Sequence, residues 1–209
     1  GRESRSEGSS RRTGLVLGTG AGGIDFTLDQ AHTAYVAGRR PSLWTITNAT
    51  HGNLAGELSI ALGLRGPSWC VSTGCGSSSD AIGQGLMLIR SGMCDRVVVC
   101  GADAHIRWET LVGMEMLKVI STRDWRGDAE GAATASRPFD ASRDGFVLGE
   151  GAWALVLTRP GLDDDARVGE IAGYGATCDA YHRVRPEPSM AESARAMRDA
   201  VADAGLAMD

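Results

Sequence analysis

A cysteine between two glycines, placed where an apolar segment gives way to a helical pattern, constrains this chain most. The short apolar run 69–71 follows the turn signal Gly66-Pro67 and predicts a buried strand. Beyond Cys75, apolar residues return at the spacing of one helix face: Ile82, Leu86 and Ile89. A strand that passes through a tight turn into a helix is a building unit of α/β folds, so the sequence predicts that class.

The position of Cys75 suits a nucleophile. At a strand-to-helix junction, the first N–H groups of the helix and the positive end of its dipole point toward the sulfur and favour the thiolate. Gly74 and Gly76 allow the sharp turn and let a substrate carbonyl approach the backbone, where the Cys75 N–H is a candidate oxyanion donor. The alternative is a packing cysteine, because free cysteine is among the most buried residue types. Packing is the favoured interpretation for the remaining cysteines: Cys70, Cys94, Cys100 and Cys178.

Cysteine usage and charge exclude several classes of function. The five cysteines lack CxxC pairs and the Cys/His spacing of a zinc site, which predicts free thiols, a reducing compartment and no metal. A net charge of −5 provides no basic field for phosphates, so we expect no nucleic acid partner. No apolar run reaches the length of a membrane span and the N-terminus has no signal-peptide core. We therefore expect a cytoplasmic protein without a membrane partner.

A glycine-rich turn after the first apolar run invites comparison with a dinucleotide site. Gly18, Gly20 and Gly23 match the spacing G-x-G-x-x-G. However, no acidic residue ends a second strand about 20 residues further on, where a ribose contact would need it. A structural turn is therefore favoured over a cofactor site, and we predict no cofactor.

The rest of the chain alternates helical patterns with apolar runs. Residues 1–12 are polar and Gly/Ser-rich and predict a flexible tail. The predicted helices are Asp25–Ala37, Thr47–Leu62, Ile106–Val119 (as a helix or loop) and a last helix that begins with the capping box Ser189–Glu192. The predicted strands are Asp95–Asp103, Ala152–Leu157 and Val168–Tyr174. A polar loop (122–136) and a linker (158–167) complete the pattern.

Short motifs run in order along the chain from residue 14 to residue 206. They are Gly66-Pro67, Ser72-Thr73-Gly74-Cys75, Leu88–Gly92, Gly101–Asp103, Ser136–Asp140, Arg143–Ala152 and Gly173–Thr177. Together they resemble β-ketoacyl-acyl-carrier-protein synthases of the thiolase superfamily, the condensing enzymes of type II polyketide and fatty acid synthesis. The Gly74-Cys75 pair looks most like the type II polyketide ketosynthases.

The resemblance implies a thiolase-like fold, layered αβαβα, that is incomplete in this chain. The first strand of the family and most of its C-terminal half have no counterpart here. On this basis the chain divides into a tail (1–12), an N-terminal ketosynthase half with the nucleophile (13–160), and a linker with the start of the C-terminal half (161–209).

In that family a cysteine takes an acyl group from an acyl carrier protein, and the acyl-enzyme then condenses with a carbanion formed by decarboxylation of a malonyl thioester. The resemblance makes Cys75 the nucleophile and implies no cofactor beyond the phosphopantetheine that arrives on the carrier protein. Two histidines and a lysine of the family's second half assist the decarboxylation. None of the chain's four histidines lies in a matching glycine-flanked context, so we expect a separate chain or segment to supply the catalytic pair.

The resemblance also implies a substrate pocket. Met114 corresponds to a position where the family commonly has an aromatic residue of the acyl pocket, and Trp108 and Leu111 are further candidates for the same wall. Core packing is the alternative role for these residues.

Partners follow from the same resemblance. Arg39 and Arg40 lie where family members often present basic residues to the acidic carrier protein, although they are equally well a solvated pair near a turn. Family members dimerise through the strand before the cysteine, here roughly Ser68–Ser72, which predicts a homodimer or a heterodimer with a ketosynthase-like subunit.

Two other functions stay open. A non-catalytic ketosynthase-like subunit would keep the fold without turnover, but such subunits typically lack the cysteine that this chain retains. A cysteine thioester hydrolase would use the strand–cysteine–helix turn as a nucleophile elbow and would need a base such as His182. The resemblance places His182 in a loop near the site entrance and not at a catalytic histidine.

Overall fold

The computed structural model describes residues 8–162, 165 and 167–207 of the chain. Its strands are β1 (Thr13–Gly18), β2 (Ser68–Val71), β3 (Arg96–Asp103) and β4 (Gly151–Thr158). Its helices are α1 (Ile24–Tyr35), α2 (Thr45–Ala49), α3 (His51–Leu62), α4 (Ser77–Arg90), α5 (Trp108–Met116), α6 (Ala129–Ala133) and α7 (Ala191–Asp203). The alternation of these elements confirms the predicted α/β class.

The strands form one mixed sheet in the order β2-β1-β3-β4. Strand β1 runs parallel to both of its neighbours, so that Leu17 lies opposite Cys70 on β2 and Cys100 on β3. Strand β4 returns antiparallel to β3, with Leu155 opposite Val99. The parallel pairs require crossover connections, which the helices between the strands supply.

Strand β1 is the centre of the core. All six of its residues are buried, and alternate side chains point to opposite faces of the sheet. On one face, Val16 packs in a buried cluster with Leu88 of α4 and Val99 of β3. On the other face, Leu15 packs in a cluster with Ala55 of α3. The nucleophile helix α4 is therefore fixed against the most buried part of the sheet.

The predicted tail is shorter in the structure. Residues 8–11 form a helical turn, and Arg12 is bonded to the carboxylate of Asp95 at 2.6 Å, which differs from the expectation of a flexible segment up to residue 12. Residues 1–7 lie outside the described residues, as do positions 163, 164 and 166 of the predicted linker.

Several other expectations need correction. The predicted helix Thr47–Leu62 is divided at Thr50, whose extended backbone (ψ 120°) separates α2 from α3. The predicted loop 122–136 contains α6, which Asp128 caps by accepting the Gly131 N–H. The predicted capping box is wrong: Met190, with a positive φ of 55°, precedes α7, and the hydroxyl of Ser189 is bonded to Glu187.

The predicted strand Val168–Tyr174 is also wrong. Residues 167–180 have no regular secondary structure. Two backbone groups of this segment are bonded to side chains. Ala172 C=O accepts from Arg90 at 2.5 Å, and Tyr174 N–H donates to Asp203 at 2.9 Å.

Candidate active site

Cys75 lies at the strand-to-helix junction that the sequence predicts. Strand β2 ends at Val71 and helix α4 begins at Ser77, and the residues between them form a tight turn in which Cys75 is exposed. Gly74 has a φ of +67°, a conformation that side-chain-bearing residues rarely adopt. The thiol therefore stands at the N-terminal end of a 14-residue helix, accessible to a substrate.

Ser77 closes this nucleophile turn (residues 72–76) onto the helix. Its hydroxyl donates to Gly74 C=O at 2.5 Å and accepts the Thr73 N–H at 2.9 Å. Ser77 is itself buried, at the first position of α4. One side chain thus bonds two backbone groups on the strand side of Cys75, the Thr73 N–H and the Gly74 C=O, which stiffens the turn.

A second set of bonds ties the turn to Asp80 in the first turns of α4. The Thr73 hydroxyl donates to one carboxylate oxygen of Asp80, and the Tyr174 hydroxyl donates to the other at 2.7 Å. Burial, followed by the bond to Asp80, raises the pKa of Tyr174 to about 12. The tyrosine therefore stays protonated and keeps its role as donor at physiological pH. Sequence reasoning missed these residues, since no local pattern joins positions 80 and 174.

The glycine-rich turn after β1 lies beside the nucleophile turn and holds an internal carboxylate. Asp103, at the end of β3, accepts from the Thr19 hydroxyl at 2.9 Å and from the N–H groups of Gly20 and Ala21 at 3.0 and 2.9 Å. Burial acts to raise the pKa of Asp103, but these hydrogen bonds outweigh it and the pKa is lowered. A side chain placed at Gly20 would come within 3.2 Å of Gly74 C=O, which shows how closely the two turns pack. The G-x-G-x-x-G segment thus has a structural role, because two of its backbone donors already bind Asp103.

The three predicted pocket residues lie on α5 but in different surroundings. Trp108 is 77% exposed, and Met114 is half-buried. Leu111 lines an apolar cavity of about 290 Å³ together with other residues of the 106–148 region, among them Ile106, Trp125 and Phe146. Of the three, the structure brings Leu111 into this cavity and leaves Trp108 at the surface. Their contact with an acyl chain stays a prediction.

Arg39 and Arg40 are both exposed on the segment between α1 and α2. Exposure suits either a carrier-protein contact or a solvated pair, so the two interpretations remain open.

The Nδ1 atom of His182 is hydrogen-bonded within its own loop. Its Nδ1 accepts the N–H groups of Val184 and Arg185 at 3.0 and 3.1 Å. A neutral imidazole whose Nδ1 accepts must carry its proton on Nε2, so neither nitrogen keeps a lone pair for a proton from a thiol. The ring instead stabilises the loop that follows it, by accepting these two backbone N–H groups.

The remaining cysteines divide by burial. Burial raises the pKa of Cys70, Cys94 and Cys100, which makes their thiols weaker nucleophiles and supports a packing role. Cys178 is exposed, as Cys75 is, but lies in the irregular segment after β4.

Across the residues that the structure describes, no cluster of three or more His, Cys, Asp or Glu side chains could hold a metal ion. Within the same residues, no helix has the length and apolarity to cross a membrane.

Comparisons with known proteins identify the family of the chain. The family model for the β-ketoacyl synthase N-terminal domain matches residues 1–161. The 3-oxoacyl-[acyl-carrier-protein] synthase 2 of Staphylococcus aureus is 35% identical in an alignment of 208 positions that covers 96% of this chain and 49% of that protein. The chain therefore spans about half the length of the curated relatives that it matches.

Two solved structures have a similar fold. A β-ketoacyl synthase of Burkholderia phymatum superposes with a TM-score of 0.78 and 29% identity, covering 95% of this chain and 48% of that one. A ketosynthase of Xenorhabdus doucetiae, solved in complex with its chain length factor, superposes with a TM-score of 0.76 and 26% identity, covering 98% of this chain and 49% of that one.

Proposed function

The chain belongs to the β-ketoacyl synthase family and has its thiolase-like fold, and on that premise we propose that it supplies the acylated cysteine of a ketosynthase. One observation carries this proposal: Cys75 is exposed on a tight turn at the N-terminal end of α4, inside the segment that the family model matches. The helix end and the N–H of Cys75 suit the charge that develops on a carbonyl oxygen during acyl transfer.

The proposed reaction has two stages. The Cys75 thiolate attacks the carbonyl carbon of an acyl thioester, the tetrahedral intermediate collapses, and the sulfur of the carrier protein's phosphopantetheine arm leaves as a thiolate. A malonyl thioester then loses CO2, and the resulting carbanion attacks the acyl carbonyl. The C–S bond to Cys75 breaks, the thiolate is regenerated, and a 3-oxoacyl thioester is released. Histidines outside this chain would assist the decarboxylation, and Met114, Leu111 and Trp108 are the proposed acyl-pocket residues.

Two surfaces support the proposed partners. Strand β2 lies at an edge of the four-stranded sheet, where Ser68 and Trp69 are exposed. This edge is the proposed site of pairing with a second ketosynthase-like subunit, as a homodimer or a heterodimer. The Xenorhabdus ketosynthase was solved in complex with its chain length factor, which supports a partner of this kind. Arg39 and Arg40 are the proposed contacts for an acidic carrier protein. The site of action is proposed to be the cytoplasm.

Intact-protein mass spectrometry tests the central step. After incubation with hexanoyl-N-acetylcysteamine, we expect the protein to gain the mass of one hexanoyl group, and we expect Cys75→Ala to lose this adduct. Cys178→Ala is the matched control, because it removes the other exposed thiol and should keep the adduct. An adduct that survives in Cys75→Ala would overturn the proposal.

The same assay separates the alternatives. A non-catalytic subunit would leave Cys75 free of acyl groups although iodoacetamide still alkylates it. A thioester hydrolase would release hexanoate without a stable adduct, and His182→Ala would abolish this release. The hydrogen bonds at His182 Nδ1 argue against that result.

A further inference from the structure

Helix α4 is bound along its length by a segment that lies beyond the region matched by the family model. That match ends at residue 161. At the C-terminal end of α4, Arg90 donates to Ala172 C=O and to the carboxylate of Asp203. In the middle of the helix, a Cβ at Gly83 would overlap the Tyr174 ring, so the ring lies directly on the helix backbone. Near the N-terminal end, the Tyr174 hydroxyl donates to Asp80.

Asp80 links Tyr174 to the nucleophile turn, because its carboxylate is bonded to both. Its second carboxylate oxygen accepts the Thr73 hydroxyl, and Thr73 lies two residues before Cys75. The Thr73 N–H is held in turn by Ser77. The chain of contacts from Tyr174 through Asp80 to Thr73 therefore connects the segment after β4 with the backbone that carries the thiol.

We propose that Tyr174 and Asp80 are positioning residues for Cys75. The segment after β4 then holds the nucleophile turn in the geometry that acyl transfer needs, a role that rests on the proposed function. Acyl transfer depends on the placement of the sulfur relative to the oxyanion donors, so a small displacement of the turn lowers the rate strongly. Alkylation by iodoacetamide needs no oxyanion donor and is less sensitive to this placement.

Kinetics of acylation test the inference in the protein together with any subunit that copurifies with it. We expect Tyr174→Phe to lower the rate of hexanoyl transfer to Cys75 by about tenfold, while the rate of iodoacetamide alkylation changes less than about twofold. Tyr181→Phe is the matched control, because this exposed tyrosine lies outside the contact chain. An unchanged acylation rate in Tyr174→Phe would overturn the inference.

A conservative pair at position 73 separates positioning from general stability. Thr73→Val removes the hydroxyl and should slow acylation as Tyr174→Phe does, whereas Thr73→Ser restores the donor and should recover most of the rate. The double variant Thr73→Val/Tyr174→Phe should acylate at about the rate of the slower single variant. The two losses should not add, because both substitutions act through Asp80. Equal loss in Thr73→Ser and Thr73→Val would contradict the inference.

Hydrogen exchange keeps the inference distinct from the proposed function. If the wild-type protein accepts no acyl group, the proposed function fails, but amide exchange in residues 72–79 still reports on the turn. We expect Tyr174→Phe to accelerate exchange in this peptide and not in the buried strand β1. Exchange that is unchanged in 72–79, or raised equally throughout the chain, would refute the positioning role.

Discussion

Strands β1 and β4 pair with the same neighbour, β3, and differ in what covers them. All six residues of β1 are buried, whereas six of the eight residues of β4 are exposed. The sequence of β4 is just as apolar, yet Trp153, Leu155 and Val156 are 37, 40 and 60% exposed. Helices α3 and α4 cover the two faces of β1. The difference teaches that an apolar run predicts a strand, while burial depends on which elements pack against it.

The largest expected effect comes from truncating matched leucines on the two strands. Leu15→Ala on β1 removes a side chain that is 0% exposed, and we expect it to lower the free energy of unfolding by about 3 kcal/mol through lost transfer energy and the cavity left behind. Leu155→Ala on β4 should cost about 1 kcal/mol, because much of that side chain already contacts solvent. Urea denaturation measures both. Equal losses would remove the distinction between the strands.

Matched glycines give the next largest difference. A Cβ at Gly18, the last residue of β1, would overlap the backbone of Ser77, so Gly18→Ala should destabilise the protein by about 2 kcal/mol. Gly151, the first residue of β4, has nothing within 4 Å of such a Cβ, and Gly151→Ala should change stability by less than about 0.5 kcal/mol. Thermal unfolding followed by circular dichroism compares the two variants. A tolerated Gly18→Ala would show that α4 can move away from β1.

A smaller effect concerns the ion pairs that hold both strands to β3. Asp95 accepts from Arg12 before β1 and from Arg159 after β4. The hydrogen bond from Arg12, and then the Arg159 contacts, lower the pKa of Asp95 from 3.8 to about 2. Because the folded pKa is depressed, the stabilisation is complete above pH 3.8 and is lost as the pH falls to about 2.

Asp95→Asn checks this prediction. The variant should be less stable than the wild type at neutral pH, and the gap should close between pH 3.8 and about 2 in acid titrations of unfolding. A gap that is constant over that range would mean that the carboxylate charge is not what joins the strand ends.

The smallest expected effect is at the exposed face of β4. Val156→Thr replaces a methyl group with a hydroxyl at a position that is 60% exposed, so stability should change by less than about 0.5 kcal/mol. Val99 lies on β3 opposite Leu155 and is fully buried. Val99→Thr should therefore lower the free energy of unfolding by about 2 kcal/mol, because the new hydroxyl would be desolvated. A large loss at Val156 would show that this face is covered in solution.

Local patterns were sufficient for the parts of the fold and site that depend on neighbouring residues. The apolar run 95–103 predicts β3, and the strand–turn–helix pattern around Cys75 predicts the position of the thiol between β2 and α4. These features depend on propensity and periodicity over about ten residues, which a single sequence reveals.

Features that depend on distant partners could not be predicted in this way. The segment 168–174 has the apolar residues of a strand, but its backbone is paired with Arg90 and Asp203. The bond between Tyr174 and Asp80 joins residues 94 positions apart. No periodicity encodes such a pair, because its partners meet only after the sheet and α4 have assembled.

The carboxylate of Asp103 in the glycine turn affects how that turn responds to its surroundings. A dissolved anion would have to compete with a ligand that belongs to the same chain and whose local concentration is set by the fold, not by the solution. Dilution does not release a ligand that belongs to the same chain. The entropy cost of closing the 84-residue loop between Thr19 and Asp103 is part of folding and does not recur. The Gly20 and Ala21 N–H groups are therefore paired within the folded chain, beside the turn that contains Gly74.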